Sequence, residues 1–125
     1  MTYSTLTLTV ADGLAVLAFN RPQAMNAVNG QMLADLDAAL DRLADPATGA
    51  RCLLITGEGR GFCAGADLSD ASLIEPGPDG SRDVGQVLER HYNPLLIKLR
   101  DLPMPVVTAV NGAAAGVGMS FALMG

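Results

Sequence analysis

Two short segments crowd small residues directly after strand-like runs: Gly57-Glu58-Gly59-Arg60-Gly61-Phe62-Cys63-Ala64-Gly65-Ala66-Asp67-Leu68, and Asn111-Gly112-Ala113-Ala114-Ala115-Gly116-Val117-Gly118. Side chains this small leave the backbone as the contacting surface, because its N–H and C=O groups come within reach of a neighbour. A chain built this way must bring two backbone turns, each off its own strand, against something. The remaining elements have to hold them there.

The preceding apolar runs are Arg51–Thr56 and Val106–Val110, the second fenced off by Pro103 and Pro105, since proline cannot donate to a ladder. Upstream, Thr5–Val10 alternates with period two, Asp12-Gly13 signals a hairpin turn, and Leu14–Phe19 is the returning strand, ended by Asn20-Arg21-Pro22. Asn29 predicts the N-cap of a helix reaching about Leu43, with Leu33, Leu36, Leu40 and Leu43 on one face, and Asp45-Pro46 breaks it. Ser69 to Gly80 is loop-like. A second amphipathic helix follows on Val84, Val87, Leu88, Tyr92, Leu95, Leu96 and Leu99, with a kink or late start expected at Pro94. A small-residue helix begins near Gly116. Strand pairs alternating with helices predict an α/β layer fold, one domain over residues 1–125.

Composition excludes several function classes. Apolar residues make up 50% and charged ones 17%, which is globular rather than disordered. A net charge of −5 with eight scattered basic residues argues against nucleic acid or an anionic membrane as partner. No apolar run approaches the ~18 residues of a membrane span, and Met1-Thr2-Tyr3-Ser4 is no signal peptide. Cys52 and Cys63 lack Cys-x-x-Cys spacing and are expected to be reduced core residues of a cytoplasmic protein.

Glycine turns after strands invite a nucleotide-binding reading, which the spacing does not support. Gly57-Glu58-Gly59-Arg60-Gly61-Phe62 lacks the third glycine of a dinucleotide fingerprint, and no Gly-Lys-Ser/Thr follows either segment. Tight turns and close helix packing would account for the glycines without any ligand.

Three segments in order favour a more specific reading. Asn20-Arg21-Pro22-Gln23-Ala24-Met25-Asn26-Ala27, Phe62-Cys63-Ala64-Gly65-Ala66-Asp67-Leu68 and Leu102–Gly112 resemble successive motifs of the crotonase (enoyl-CoA hydratase/isomerase) superfamily. The resemblance implies an α/β crotonase-like fold of perpendicular β-sheets, built from repeated ββα units flanked by helices and here covering its first half. It implies an acyl-CoA thioester as partner, a homo-oligomer (trimer or hexamer) for the full-length protein, and no metal or cofactor, coenzyme A being part of the substrate.

Carried over residue by residue, the family's two oxyanion-hole donors fall on the backbone N–H groups of Ala66 and Val117. Two rigid donors aimed at a thioester oxygen stabilise the negative charge of an enolate-like intermediate, and losing one typically costs roughly 3–4 kcal/mol of barrier. Ala24, Met25 and Ala27 are implied to lie against coenzyme A, and Ala64, Gly65, Asp67, Leu68, Gly116 and Ser120 to line the substrate. Asp67 is implied to shape the loop rather than to react.

Two departures refine this. Valine stands where hydratases have a donor glycine, and its side chain can point away. Ser120 stands where hydratases carry the first of two catalytic glutamates, and serine cannot orient and deprotonate a water as a carboxylate does. Bonding back to its own helix backbone is the simpler expectation for Ser120. The run Ala114–Leu123 more closely resembles the ring-epoxide isomerases of phenylacetyl-CoA degradation and related enoyl-CoA isomerases. Isomerisation is therefore expected, with enoyl-CoA hydration or non-catalytic acyl-CoA binding as alternatives. Arg21 and Arg60 are expected to be solvated, with contact to coenzyme A phosphates as the alternative, and His91 to be a partly exposed helical residue, with an acyl-pocket contact as the alternative; Met25, Met32, Met104, Met119 and Met124 are expected to pack in the core or pocket. Residues 1–125 alone are expected to self-associate through the apolar Gly116–Gly125 segment.

Overall fold

The computed structural model describes residues 3–67 and 92–125. β1 (Leu6–Ala11) and β2 (Leu14–Phe19) form the expected hairpin, with Leu6 opposite Phe19 and Ala11 opposite Leu14. Asp12 and Gly13 turn the chain with φ of 53° and 81°, the backbone of a type I′ turn, whose twist matches that of the strands it joins. β2 then pairs in parallel with β3 (Cys52–Gly57), and β3 with β4 (Val106–Thr108), giving one four-stranded sheet in the order β1-β2-β3-β4. β4 is shorter than the expected Val106–Val110: beyond Thr108 side chains replace the ladder, the Thr56 hydroxyl donating to the Ala109 carbonyl at 2.9 Å and the Gly57 N–H donating to the Asn111 side chain at 3.1 Å.

α1 (Gly30–Ala44) begins where the sequence places it. The Asn29 side chain accepts a hydrogen bond from the Met32 N–H at 2.9 Å, satisfying one of the donors that a helix start leaves without a partner. Its apolar stripe, Met32, Leu33, Leu36, Ala39, Leu40 and Leu43, is buried. α2 (Asn93–Arg100) carries Pro94 in its first turn, where a missing N–H costs nothing. Tyr92, Leu95 and Leu99 are buried as expected. Val84, Val87, Leu88, the loop expected at 69–80 and His91 lie outside the described residues. Lys98 ties α2 to α1 through Asp37 at 2.6 Å and Asp41 at 2.8 Å; exposed pairs of this kind contribute at most about 1 kcal/mol.

α3 (Val117–Ala122) is the short helix expected near Gly116. Phe121 on it packs on Phe19 of β2 at 5.6 Å between ring centroids, and Phe19 meets Phe62 edge to face at 5.4 Å. This aromatic trio fixes the first small-residue segment, the sheet and α3 to one point of the core. The opposite side of α3 is bare: Met119 is 54% exposed and Leu123 76%. Of the core or pocket places expected for Met119, the core is therefore not the one it takes, because Phe121 has the inward position.

The buried Asp35 latches the start of the chain onto α1. Its carboxylate accepts from the Thr5 N–H at 3.1 Å, the Thr5 hydroxyl at 2.6 Å and Gln31 at 2.8 Å. Burial pushes the carboxyl pKa up, but the bonds from Thr5 and Gln31 outweigh it and hold the group below its ordinary value. A depressed carboxylate contributes stability that is complete above its unfolded pKa and lost as pH falls through the folded one. Thr5→Val should therefore cost about 1–3 kcal/mol at neutral pH, and the gap to the parent should narrow below about pH 4, checked by urea unfolding at both pH values.

Candidate active site

The segment Phe62–Asp67 is hydrogen-bonded on both sides, to two different neighbours in turn. Phe62 and Cys63 donate to the Ala113 carbonyl at 3.0 and 3.1 Å, and Ala115 donates to the Cys63 carbonyl at 3.1 Å. Ala64 then donates to the Met25 carbonyl at 3.0 Å, Val28 donates to Gly65 at 2.7 Å, and Asp67 to Val28 at 2.8 Å. Cys63 thus pairs with Ala114 and Ala66 with Val28, both in parallel.

An unbroken strand would alternate its bonding side residue by residue. Here Ala64 and Gly65 both bond toward Met25–Val28, and the reversal falls on Gly65, whose φ of +106° suits only a residue without Cβ. With Gly65 and Asp67 turned to Val28, the Ala66 N–H faces away from Val28. Among the described residues it has no acceptor. The Val117 N–H, at the first position of α3, has none there either. The two turns touch: a Cβ on Gly65 would lie 3.1 Å from the Ala115 carbonyl oxygen, and one on Gly116 would lie 3.6 Å from the Gly65 Cα. Gly118 brings α3 still closer, since a Cβ there would overlap the Cys63 carbonyl oxygen.

Three polar side chains hold these turns, and the sequence reading assigned none of them this task. Asn26 is fully buried; its side-chain oxygen accepts from the Arg21 N–H at 2.7 Å and its amide donates to the carbonyls of Glu58 at 3.0 Å and Gly61 at 2.8 Å. Asn111 grips the same loop from the other side, accepting from the Gly57 N–H at 3.1 Å and donating to Gly59 at 3.1 Å and Gly61 at 3.2 Å. Arg21 is not solvated as expected. Its guanidinium donates to the Ala27 carbonyl and pairs with Asp67 at 3.1 Å, the two side chains only 15% and 16% exposed. Met25 and Asn26 run consecutively left-handed, at φ 54° and 58°, a region that asparagine is among the few residues to tolerate.

The other expected site residues distribute as follows. Ala24, Met25 and Ala27 are half-buried beside the turn, Ala64 and Ala66 are exposed, Gly65 is buried, and Gly116 is exposed against it. Leu68 lies outside the described residues. Ser120 is half-buried on α3, and its hydroxyl does not form the expected bond back to the helix backbone; among the described residues it has no partner. Burial raises the Cys63 thiol pKa against a weaker opposing bond from Gly65, so this cysteine is a neutral packing group rather than a nucleophile. Among the described residues no cluster of His, Cys, Asp and Glu could hold a metal ion, and no helix is long and apolar enough to cross a membrane.

Gly118→Ala drives a Cβ into backbone rather than into a movable side chain. It should destabilise the chain by about 1–3 kcal/mol, read from chemical denaturation.

The enoyl-CoA hydratase/isomerase family profile matches residues 9–125. The chain is 47% identical over 116 residues to the 1,2-epoxyphenylacetyl-CoA isomerase of Escherichia coli K12, covering 93% of this chain and 43% of that protein. It is 42% identical to a Rhodobacter capsulatus protein named "Probable enoyl-CoA hydratase", covering 98% and 44%. The crystal structure of enoyl-CoA hydratase from Bacillus anthracis superposes with a TM-score of 0.80 at 26% identity, over 97% of this chain and 45% of that one. The chain thus spans under half the length of these relatives. With a matching profile over nearly all of its residues and this structural likeness, the chain has the α/β crotonase fold and belongs to the enoyl-CoA hydratase/isomerase family.

Proposed function

We propose that this chain supplies the oxyanion-stabilising part of an acyl-CoA isomerase. The observation that carries the proposal is the pair of backbone N–H groups, Ala66 and Val117, without acceptors among the described residues and flanking the contact between Gly65 and Gly116. A thioester oxygen held by both would receive the negative charge that develops when a proton leaves the adjacent carbon. Backbone donors held in this way need no reorganisation as charge appears.

Isomerisation is favoured over hydration by Ser120 and by the identity to a 1,2-epoxyphenylacetyl-CoA isomerase. Moving a proton within an unsaturated or epoxidised acyl-CoA takes one acid–base group, whereas adding water across a double bond takes a pair to orient the water and shuttle its proton. Ala24, Met25 and Ala27 would border the coenzyme A portion; Ala64, Gly65, Asp67, Leu68, Gly116 and Ser120 would border the acyl group. Coenzyme A enters as part of the substrate. The working protein would be a cytoplasmic homo-oligomer, a trimer or hexamer, with residues 1–125 forming part of one domain.

Water addition to a 2-enoyl-CoA is the second reading, favoured by the relative named as a hydratase. The two separate on one measurement. The full-length protein should hydrate a short 2-enoyl-CoA at least about a hundredfold more slowly than it isomerises its substrate, followed by loss of the conjugated thioester absorbance. Ser120→Glu should raise the hydration rate where a second carboxylate faces it. Rapid water addition by the unmodified protein would establish the second reading.

Met119 and Leu123 on α3 and Val107 and Val110 in and beyond β4 are exposed, apolar side chains that a second copy or another part of the protein would cover. Residues 1–125 alone should self-associate in light scattering and show no turnover. A stable, active monomer would overturn both expectations.

A further inference from the structure

The Arg21–Asp67 pair bears on the chemistry of the donor turn, and its role there rests on the oxyanion reading of Ala66 and Val117. Asp67 directly follows the Ala66 donor, about 3.8 Å away between Cα atoms, and its side chain is only 16% exposed. A carboxylate so placed repels any anion at the Ala66 N–H, and burial leaves that repulsion poorly screened. Arg21 answers it directly, its guanidinium 3.1 Å from the carboxylate and itself 15% exposed. The same guanidinium donates to the Ala27 carbonyl, one residue before Val28, which bonds both Gly65 and Asp67.

We infer that Arg21 is a positioning residue with a charge role: it cancels the field of Asp67 at the oxyanion position while fixing the strand that aims the Ala66 N–H. Asp67 holds Arg21 in place for the backbone contact, and Arg21 makes that carboxylate harmless to a developing anion. A purely structural pair would weaken every ligand alike when broken. A charge role weakens the anionic ligand selectively.

Two coenzyme A thioesters make the distinction: acetoacetyl-CoA, which can bind as its enolate, and 3-hydroxybutyryl-CoA, which cannot ionise there. Titration calorimetry on the full-length protein should show the parent preferring the first. Arg21→Met should weaken acetoacetyl-CoA at least about tenfold more than it weakens 3-hydroxybutyryl-CoA. Adding Asp67→Asn to Arg21→Met should restore most of the preference, since the repelling charge is gone. Equal weakening of both thioesters, or no restoration, overturns the inference and leaves a structural pair. A parent that shows no preference overturns the oxyanion reading and this inference with it. If Arg21→Met does not fold by circular dichroism, Asp67→Asn alone decides: unchanged or tighter enolate binding is expected, and lost preference overturns the charge role.

Discussion

The structure depends on one backbone segment satisfying two neighbours. Phe62–Asp67 bonds first to Ala113–Ala115 and then to Met25–Val28, with Gly65 reversing the bonding side at φ +106°. Buried N–H and C=O groups must be paired, so each neighbour has to be in register before the segment is stable. The reversal is what leaves the Ala66 N–H facing away from Val28. The sheet, α1 and the asparagine clamps serve to bring these three stretches together from positions up to ninety residues apart in the chain.

Apolar packing and polar clamps divide that work. The Phe19, Phe62 and Phe121 cluster places β2, the Phe62–Asp67 segment and α3 on one core point, with geometry worth roughly 0.5–1.5 kcal/mol per ring pair beyond burial. Packing alone tolerates sliding by fractions of an ångström. The hydrogen bonds of Asn26 and Asn111, which meet on the Gly61 carbonyl from opposite sides, do not. Asn26 is fully buried, so removing it leaves its bonded groups without a partner at a cost of about 1–3 kcal/mol, whereas the exposed bonds of Asn111 cost less to lose. The Phe62–Asp67 segment is held by both kinds of restraint.

Local features of the fold were legible because short-range chemistry fixes them. Asp12-Gly13 specifies its turn, Asn29 its helix start, and the leucines of α1 their buried face. Contacts between distant segments were not. Nothing in the residues around Arg21 announces a partner forty-six positions away in Asp67, and Asn26 has the composition of an ordinary loop residue. The small-residue turns showed that a backbone approach was required but left open what approaches. Ser120 illustrates the remaining gap: spacing put it on α3, yet its hydroxyl does not take the local bond that a helical serine usually finds.

Under the oxyanion reading, the division between backbone and side chains explains why relatives named for isomerisation and for hydration both match this stretch. The donors are N–H groups, which any residue but proline supplies, so Val117 can stand where another member has glycine without loss of the interaction. What the fold must preserve is φ at Gly65, the absence of a Cβ at Gly118 and the clamps on the loop, none of which touches a reacting atom. Reaction type is then free to change through the acid–base side chains brought up to a fixed electrostatic site. Position 120 is one place where such a change is tolerable: it lies on the first turns of α3, half-buried, with no structural bond to lose among the described residues. A glutamate introduced there adds a proton-transfer group and leaves the donors where they are, whereas a Cβ at position 118 moves the donors themselves.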